Sequence, residues 1–207
     1  MNTQVMTNTK ARSRTKKLVN ISMLSAIAFI LMQFEIPLPF APVFYKMDFS
    51  EVPVLIASFA IGPLAGASVE LVKVILNVMI SGTTTAGVGD VANLLIGCGF
   101  CVPAGIIYQK IKTRKGAAAG MGVGTVIMTV LGGILNAFVL LPVYAKAFEM
   151  PVDALIKMGT EVNPAIKDLS TFVLFAVTPF NILKGIFVSL IVIMIYKKIS
   201  PVFKISR

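Results

Sequence analysis

No histidine occurs in the 207 residues. Its absence removes the side chain that most often shuttles protons, ligates metals and serves as the base of a nucleophilic triad, and most enzymatic readings lose their candidates with it. Cysteine is nearly as scarce. Cys98 and Cys101 form a C-x-x-C with no second pair and no βαβ context, so they are read as small polarizable packing residues. No G-x-x-x-x-G-K-[ST] occurs, so nothing here cradles ATP phosphates. If ATP drives this protein, another subunit binds it. Charge is sparse too, at 14% of residues, and lopsided, with 9 Asp and Glu against 19 Lys and Arg.

What fills the chain is apolar. Hydrophobic residues make up 57% and the mean hydropathy is +0.89, far outside soluble composition, so the chain is read as an all-α integral membrane protein. Apolar runs cover 18–34, 52–64, 69–80, 91–108, 116–144 and 172–196. A span of hydrocarbon takes about 20 residues, which makes 52–82 too long for one helix. Gly62-Pro63 and Gly66 cut it near the middle, because proline lacks a backbone donor and disfavours helix in the residue before it. Two short helices joined by a tight turn bring the expected count to six spans.

The charges test that count independently. Lys10, Arg12, Arg14, Lys16 and Lys17 precede span 1, Lys110, Lys112, Arg114 and Lys115 follow span 4, and Lys197, Lys198, Lys204 and Arg207 follow span 6. Six spans place all three clusters on one side, the cytoplasm by the positive-inside rule, with both termini inside. Asp48, Glu51, Asp90, Glu149, Asp153, Glu161 and Asp168 fall in or beside the opposite loops. The net charge of +10 is therefore mostly topology, with attraction to anionic lipid as a secondary effect and no nucleic-acid partner required. Residues 1–17 are read as a disordered basic tail, 18–199 as the membrane domain and 200–207 as a cytoplasmic tail. No small-residue cleavage site follows span 1, so the N-terminus is expected to be retained.

Gly116, Gly120 and Gly124 recur every four residues and suit close helix packing inside the bundle. Ser22 and Ala26 form a similar stripe in span 1, open to either internal packing or a partner surface. Glu70 and Lys73 share a helical face near the cytoplasmic end of span 3, and are read as a paired surface couple with a snorkelling lysine.

The remaining polar residues of the spans gather at another depth. At 1.5 Å rise per residue, Asn136 lies roughly 30 Å above the inner start of span 5, and Lys184 roughly 18 Å above the inner end of span 6. Asn181 sits on the same face as Lys184, and Asn93 is near the outer start of span 4. Isolated interhelical hydrogen bonds would explain the asparagines but not an added lysine, which is costly there without a partner or a wet cavity. A polar pocket open to the outside explains both. Three carboxamides and an ammonium suit a neutral heterocycle or a polyol better than an inorganic ion. Phe34, Phe40, Phe44, Tyr45, Tyr144, Phe180 and Phe187 supply aromatic surface near these spans.

The stretches PLPFAPVFYKMDFSEVPVLIASFAIGPLAG (37–66), GDVANLLIG (89–97), GGILN ending at Asn136, and TPFNILKGIF (178–187) resemble the riboflavin-binding S components of energy-coupling factor (ECF) vitamin transporters. The resemblance covers about 18–199. It implies a subunit without catalysis in the bacterial cell membrane, and neither a metal nor a resident cofactor. Such a subunit captures riboflavin at the outer face, then works with a transmembrane coupling subunit (the T component) and two cytoplasmic ATPases. By that resemblance Asn136, Asn181 and Lys184 hydrogen-bond the flavin, with Asn93, Phe40 and Ala41 beside it. The loop Pro39–Lys46 gates the site, Glu161 or Asp168 supplies any acidic contact, and Ser22 and Ala26 face the coupling subunit. Another vitamin, FMN, a self-sufficient ion-coupled permease and an enzyme acting on a lipid-linked substrate are the competing readings.

Overall fold

The computed structural model describes residues 2–38, 45–83 and 87–203. Helix α1 covers Asn2–Met32. Its first half runs back through the basic segment where composition predicts disorder. With neither glycine nor proline in 2–32, nothing there interrupts a helix anchored in the first apolar run. A two-residue pair follows, β1 (Ile36–Pro37) antiparallel to β2 (Lys46–Met47). It folds the chain back toward the bundle after α1.

Helix α2 (Glu51–Ala60) is buried from Glu51 to Phe59, as expected of a helix apolar all round. Ten residues rise only about 15 Å, so α2 covers about half the depth of the bundle and begins near its middle. The turn to α3 (Pro63–Ile80) forms as the sequence predicts. Gly62 has φ 145°, open only to glycine, and Pro63 opens the next helix, where its missing N–H costs nothing.

Helix α4 (Val88–Ile111) and helix α5 (Arg114–Leu135) form an antiparallel hairpin, with the hydroxyl of Thr113 capping α5 by accepting from the Gly116 N–H. A Cβ at Gly120 would lie 2.6 Å from the Ala104 carbonyl oxygen, and one at Gly124 would lie 2.5 Å from that of Phe100. The glycine repeat therefore seats α5 on α4, the internal packing expected. A π-helical turn, Asn136–Leu140, joins α5 to α6 (Leu141–Ala147). Helix α7 (Val152–Val162) lies where the sequence suggested only a loop. Its Leu155 and Ile156 are buried, while Asp153, Lys157 and Glu161 are exposed. A capping box at Asp168 starts α8 (Leu169–Phe172), and a second π-helical turn, Val173–Val177, continues into α9 (Thr178–Phe203).

Among the described residues, Arg14–Met32, Pro63–Ile80, Val88–Ile111, Arg114–Ala147 and Leu169–Ile195 are long and apolar enough to cross a membrane, with α2 apolar but shorter. Their outward faces carry exposed Leu18, Ile30, Met79, Val126, Phe138 and Met194, a surface suited to lipid rather than water. The core has two parts. One joins Leu55 and Phe59 of α2 to Phe100, Met121, Met128 and Val188, and the other gathers Tyr45, Leu141, Leu155, Phe172 and Phe180.

Candidate functional site

Between those two cores lies a cavity of about 320 Å³, lined by Asn93, Asn136, Asn181 and Lys184 among others. The four polar residues expected to share one level thus meet in one space. The first π-helical turn contributes Asn136 and Leu140 to its lining and the second precedes the lining residues Phe180 and Asn181; such turns recur at functional sites because one extra residue re-aims the side chains beyond it. The first begins at Asn136 and the second ends one residue before Thr178, a turn ahead of Asn181. Gly132 completes the fit. A Cβ there would stand 2.8 Å from Asn181 Nδ2, so glycine lets the α9 carboxamide lie against α5.

Each amide is partly committed and partly free. Asn136 Nδ2 donates to the Gly132 carbonyl at 2.7 Å and its Oδ1 accepts from the Tyr45 hydroxyl; Asn181 Nδ2 donates to the Val177 carbonyl at 2.9 Å. These bonds fix the orientation of both carboxamides while leaving further donor and acceptor capacity. Tyr45 and Phe180, with ring centroids 5.3 Å apart, add an aromatic wall. Tyr144 also lines the cavity. Phe34 and Phe187 do not, and both are largely exposed on the helix bundle. Phe40, Ala41 and Phe44, and with them most of the expected gate, lie outside the described residues.

Lys184 has the acid that sequence reasoning did not find. Its Nζ lies 2.9 Å from Asp48 Oδ2, and both side chains are 11% exposed. Asp48 Oδ1 also accepts from the Ser50 N–H at 2.8 Å. Glu161 and Asp168, the acidic contacts considered, are exposed residues that do not line the cavity. Asp48 stood in the outer-loop group by sequence. The chain after β2 dips to mid-depth, because α2 needs only half a span, and carries Asp48 with it. Two acids just ahead of an apolar helix, in DFSEVP, were the available signal.

Glu70 and Lys73 are paired, at 2.7 Å, but not at a surface. Both are fully buried, and Lys73 also reaches Glu51 Oε1 at 3.0 Å and Ser50 Oγ at 3.1 Å. The snorkelling expectation placed the start of the third span too late. Helix α3 begins at Pro63, so Lys73 stands about 15 Å along it, level with the first turn of α2. Gly97 of α4 makes room, since a Cβ there would meet the Glu70 carboxyl carbon at 2.5 Å.

The mouth is polar. Gln33 Nε2 donates to Asn77 Oδ1, whose Nδ2 donates to Asp90 Oδ1, linking the end of α1 to α3 and α4. Lys46 pairs with the half-exposed Glu35 at 2.7 Å. Lys112 and Arg114 sit at the opposite end of α4, about 36 Å away by helix rise. Ser22 and Ala26 are exposed on α1, so that stripe is not used for packing within the chain. Cys101 is buried and Cys98 half-buried, both free thiols.

Asparagines, a lysine–carboxylate pair and aromatic rings thus line one cavity of an apolar helical bundle, with donors, acceptors and flat apolar surface of the kind a small organic molecule uses. Residues 16–196 match the family described as the substrate-specific component of ECF transporters, and the chain belongs to that family. It is 38% identical over 191 residues to the riboflavin transporter FmnP of Bacillus subtilis (strain 168), covering 91% of this chain and 94% of that protein. It is also 38% identical to the riboflavin transporter RibU of Staphylococcus aureus (strain TCH60), with 92% and 94% covered. A solved structure described as the S component of a bacterial ECF transporter superposes with a TM-score of 0.72 at 38% identity, covering 92% of this chain and 99% of that one.

Proposed function

We propose that this chain is the riboflavin-capturing S subunit of an ECF transporter in the bacterial cell membrane. The observation that carries the reading is the convergence of Asn136, Asn181 and the Lys184–Asp48 pair beside Tyr45 and Phe180 in one cavity. An asparagine amide complements the alternating carbonyl and N–H edge of a flavin, and Lys184 donates to a ring carbonyl or a ribityl oxygen. The aromatic wall covers a flat ring. The names of the relatives point to the same ligand.

The chain lies in the bilayer with six embedded helical segments, both termini cytoplasmic and the cavity mouth outside, the orientation its basic clusters favour. It hands the vitamin to a transmembrane coupling subunit driven by two cytoplasmic ATPases, with Ser22 and Ala26 on the face offered to that subunit. Titrating purified protein with riboflavin tests the reading. Expected are saturable quenching of flavin fluorescence and a shifted flavin absorption spectrum. Unchanged fluorescence with a colourless protein would overturn it, and tighter binding of FMN or of another vitamin would reassign the ligand within the same class.

A further inference from the structure

Below the cavity lies a buried group that ligand binding does not account for. Lys73 is fully buried between two carboxylates, Glu51 at 3.0 Å and Glu70 at 2.7 Å, and these are 1% and 0% exposed. One ammonium balances one carboxylate. A second ionised carboxylate at this depth would be an unpaired buried charge, several kcal/mol unfavourable by the usual reckoning. The other charged neighbours do not supply the missing cation. Lys184 of α9 is taken by Asp48, α4 contributes only the thiols of Cys98 and Cys101 on this side, and α1 carries no charge between Leu18 and Met32.

Lys73 donates to Ser50 Oγ and Glu51 Oε1 and lies closer still, at 2.7 Å, to Glu70 Oε2, so two buried carboxyls compete for one ammonium. The far oxygens, Glu51 Oε2 and Glu70 Oε1, have no hydrogen-bond partner among the described residues. We infer that Glu51 and Glu70 share one proton, so that the two carboxyls and Lys73 form a proton-binding site beneath the cavity. The proton comes from bulk water and leaves one ammonium against one net carboxylate charge. The O–H it forms supplies a donor in a cluster otherwise short of them.

Glu51 lines the cavity as well, which ties the proton to the ligand. With the proton in place the floor is neutral. Without it, a surplus negative charge faces a ligand whose carbonyl and ribityl oxygens are acceptors, and draws Lys184 from its task. This last step rests on the riboflavin reading; the proton site itself does not.

Infrared spectroscopy of the ligand-free protein in lipid tests the site directly. At neutral pH the wild type shows the carbonyl stretch of a protonated carboxylic acid, shifted in heavy water. Glu70→Gln removes that band while keeping the wild-type melting temperature. Glu51→Gln also removes it, because Glu70 then ionises against Lys73. A wild type without the band, or a band that survives both substitutions, overturns the inference. For the coupling, wild-type riboflavin affinity falls about tenfold as pH rises from about 6 to 9, whereas Glu70→Gln stays flat. Equal pH dependence in the two proteins overturns the coupling. No riboflavin binding in either counts against the ligand reading, and the infrared result still decides the proton.

Discussion

Lys184 and Asn136 carry the sharpest single-residue expectations. Each side chain is buried and fixed by a partner, Lys184 by Asp48 and Asn136 by Gly132 and Tyr45. Lys184→Met and Asn136→Ala each weaken riboflavin binding by about 1–3 kcal/mol, the usual cost of leaving a polar partner unpaired, measured by fluorescence titration. Unchanged affinity in both removes the site assignment even if riboflavin is the ligand. Asp48→Asn leaves Lys184 without its counter-charge, and the double variant Asp48→Asn with Lys184→Met recovers about 0.5–3 kcal/mol relative to additivity in thermal unfolding. At this scale the sequence spoke clearly for the spans and poorly for their partners. A lysine and three asparagines inside apolar runs are conspicuous because each is costly there. Asp48 and Glu51 are not, because an acid just outside a run looks the same whether it stays in a loop or follows the chain down into the bundle.

Among the elements, α2 and its neighbours show what sequence patterns convey. Gly62-Pro63 marked the break between α2 and α3, since only glycine adopts the φ observed and proline belongs at a helix start. The two π-helical turns and the short β1–β2 pair had no such mark, for an extra residue in a helix leaves hydrophobic spacing almost unchanged over so few positions. Helix contact is testable at Gly97. Gly97→Ala drives a methyl group into the Glu70 carboxyl and destabilises the fold by about 1–3 kcal/mol, whereas Gly122→Ala, with nothing within 4 Å of the added carbon, is neutral or gains up to about 1 kcal/mol; melting temperatures in detergent separate the two. The start of α8 is a second case. The Thr171 backbone N–H, with the Thr171 hydroxyl, holds the exposed Asp168 carboxyl below its ordinary range. A depressed folded-state value stabilises the fold above the unfolded value of about 3.9, and that gain is lost as pH falls through the folded value. Asp168→Ala therefore lowers the melting temperature at neutral pH, and the gap to the wild type narrows in acid.

For the molecule as a whole, orientation decides whether the cavity collects ligand from outside the cell. Helix α4 fixes the geometry, with Asp90 and Asn93 at the cavity and Lys110 near its other end, followed by Lys112 and Arg114 at the turn into α5. The basic turn and the cavity mouth thus lie on opposite faces, whichever way the bundle is inserted. The positive-inside rule counts lysines and arginines in short loops, and the loop between α4 and α5 satisfies it with Lys110, Lys112, Arg114 and Lys115 close together. Acids weigh little in that rule, so the exposed Asp153 and Glu161 of α7 neither support nor oppose the orientation. A membrane-impermeant thiol reagent reads it out. Cys101 is buried and Cys98 half-buried within α4, giving a low background. In intact cells Lys157→Cys on the exposed face of α7 is labelled and Lys112→Cys is not; in inverted vesicles the pattern reverses. Labelling of Lys112→Cys from outside would turn the mouth toward the cytoplasm, and a site loaded from the medium would then be untenable however well it binds riboflavin.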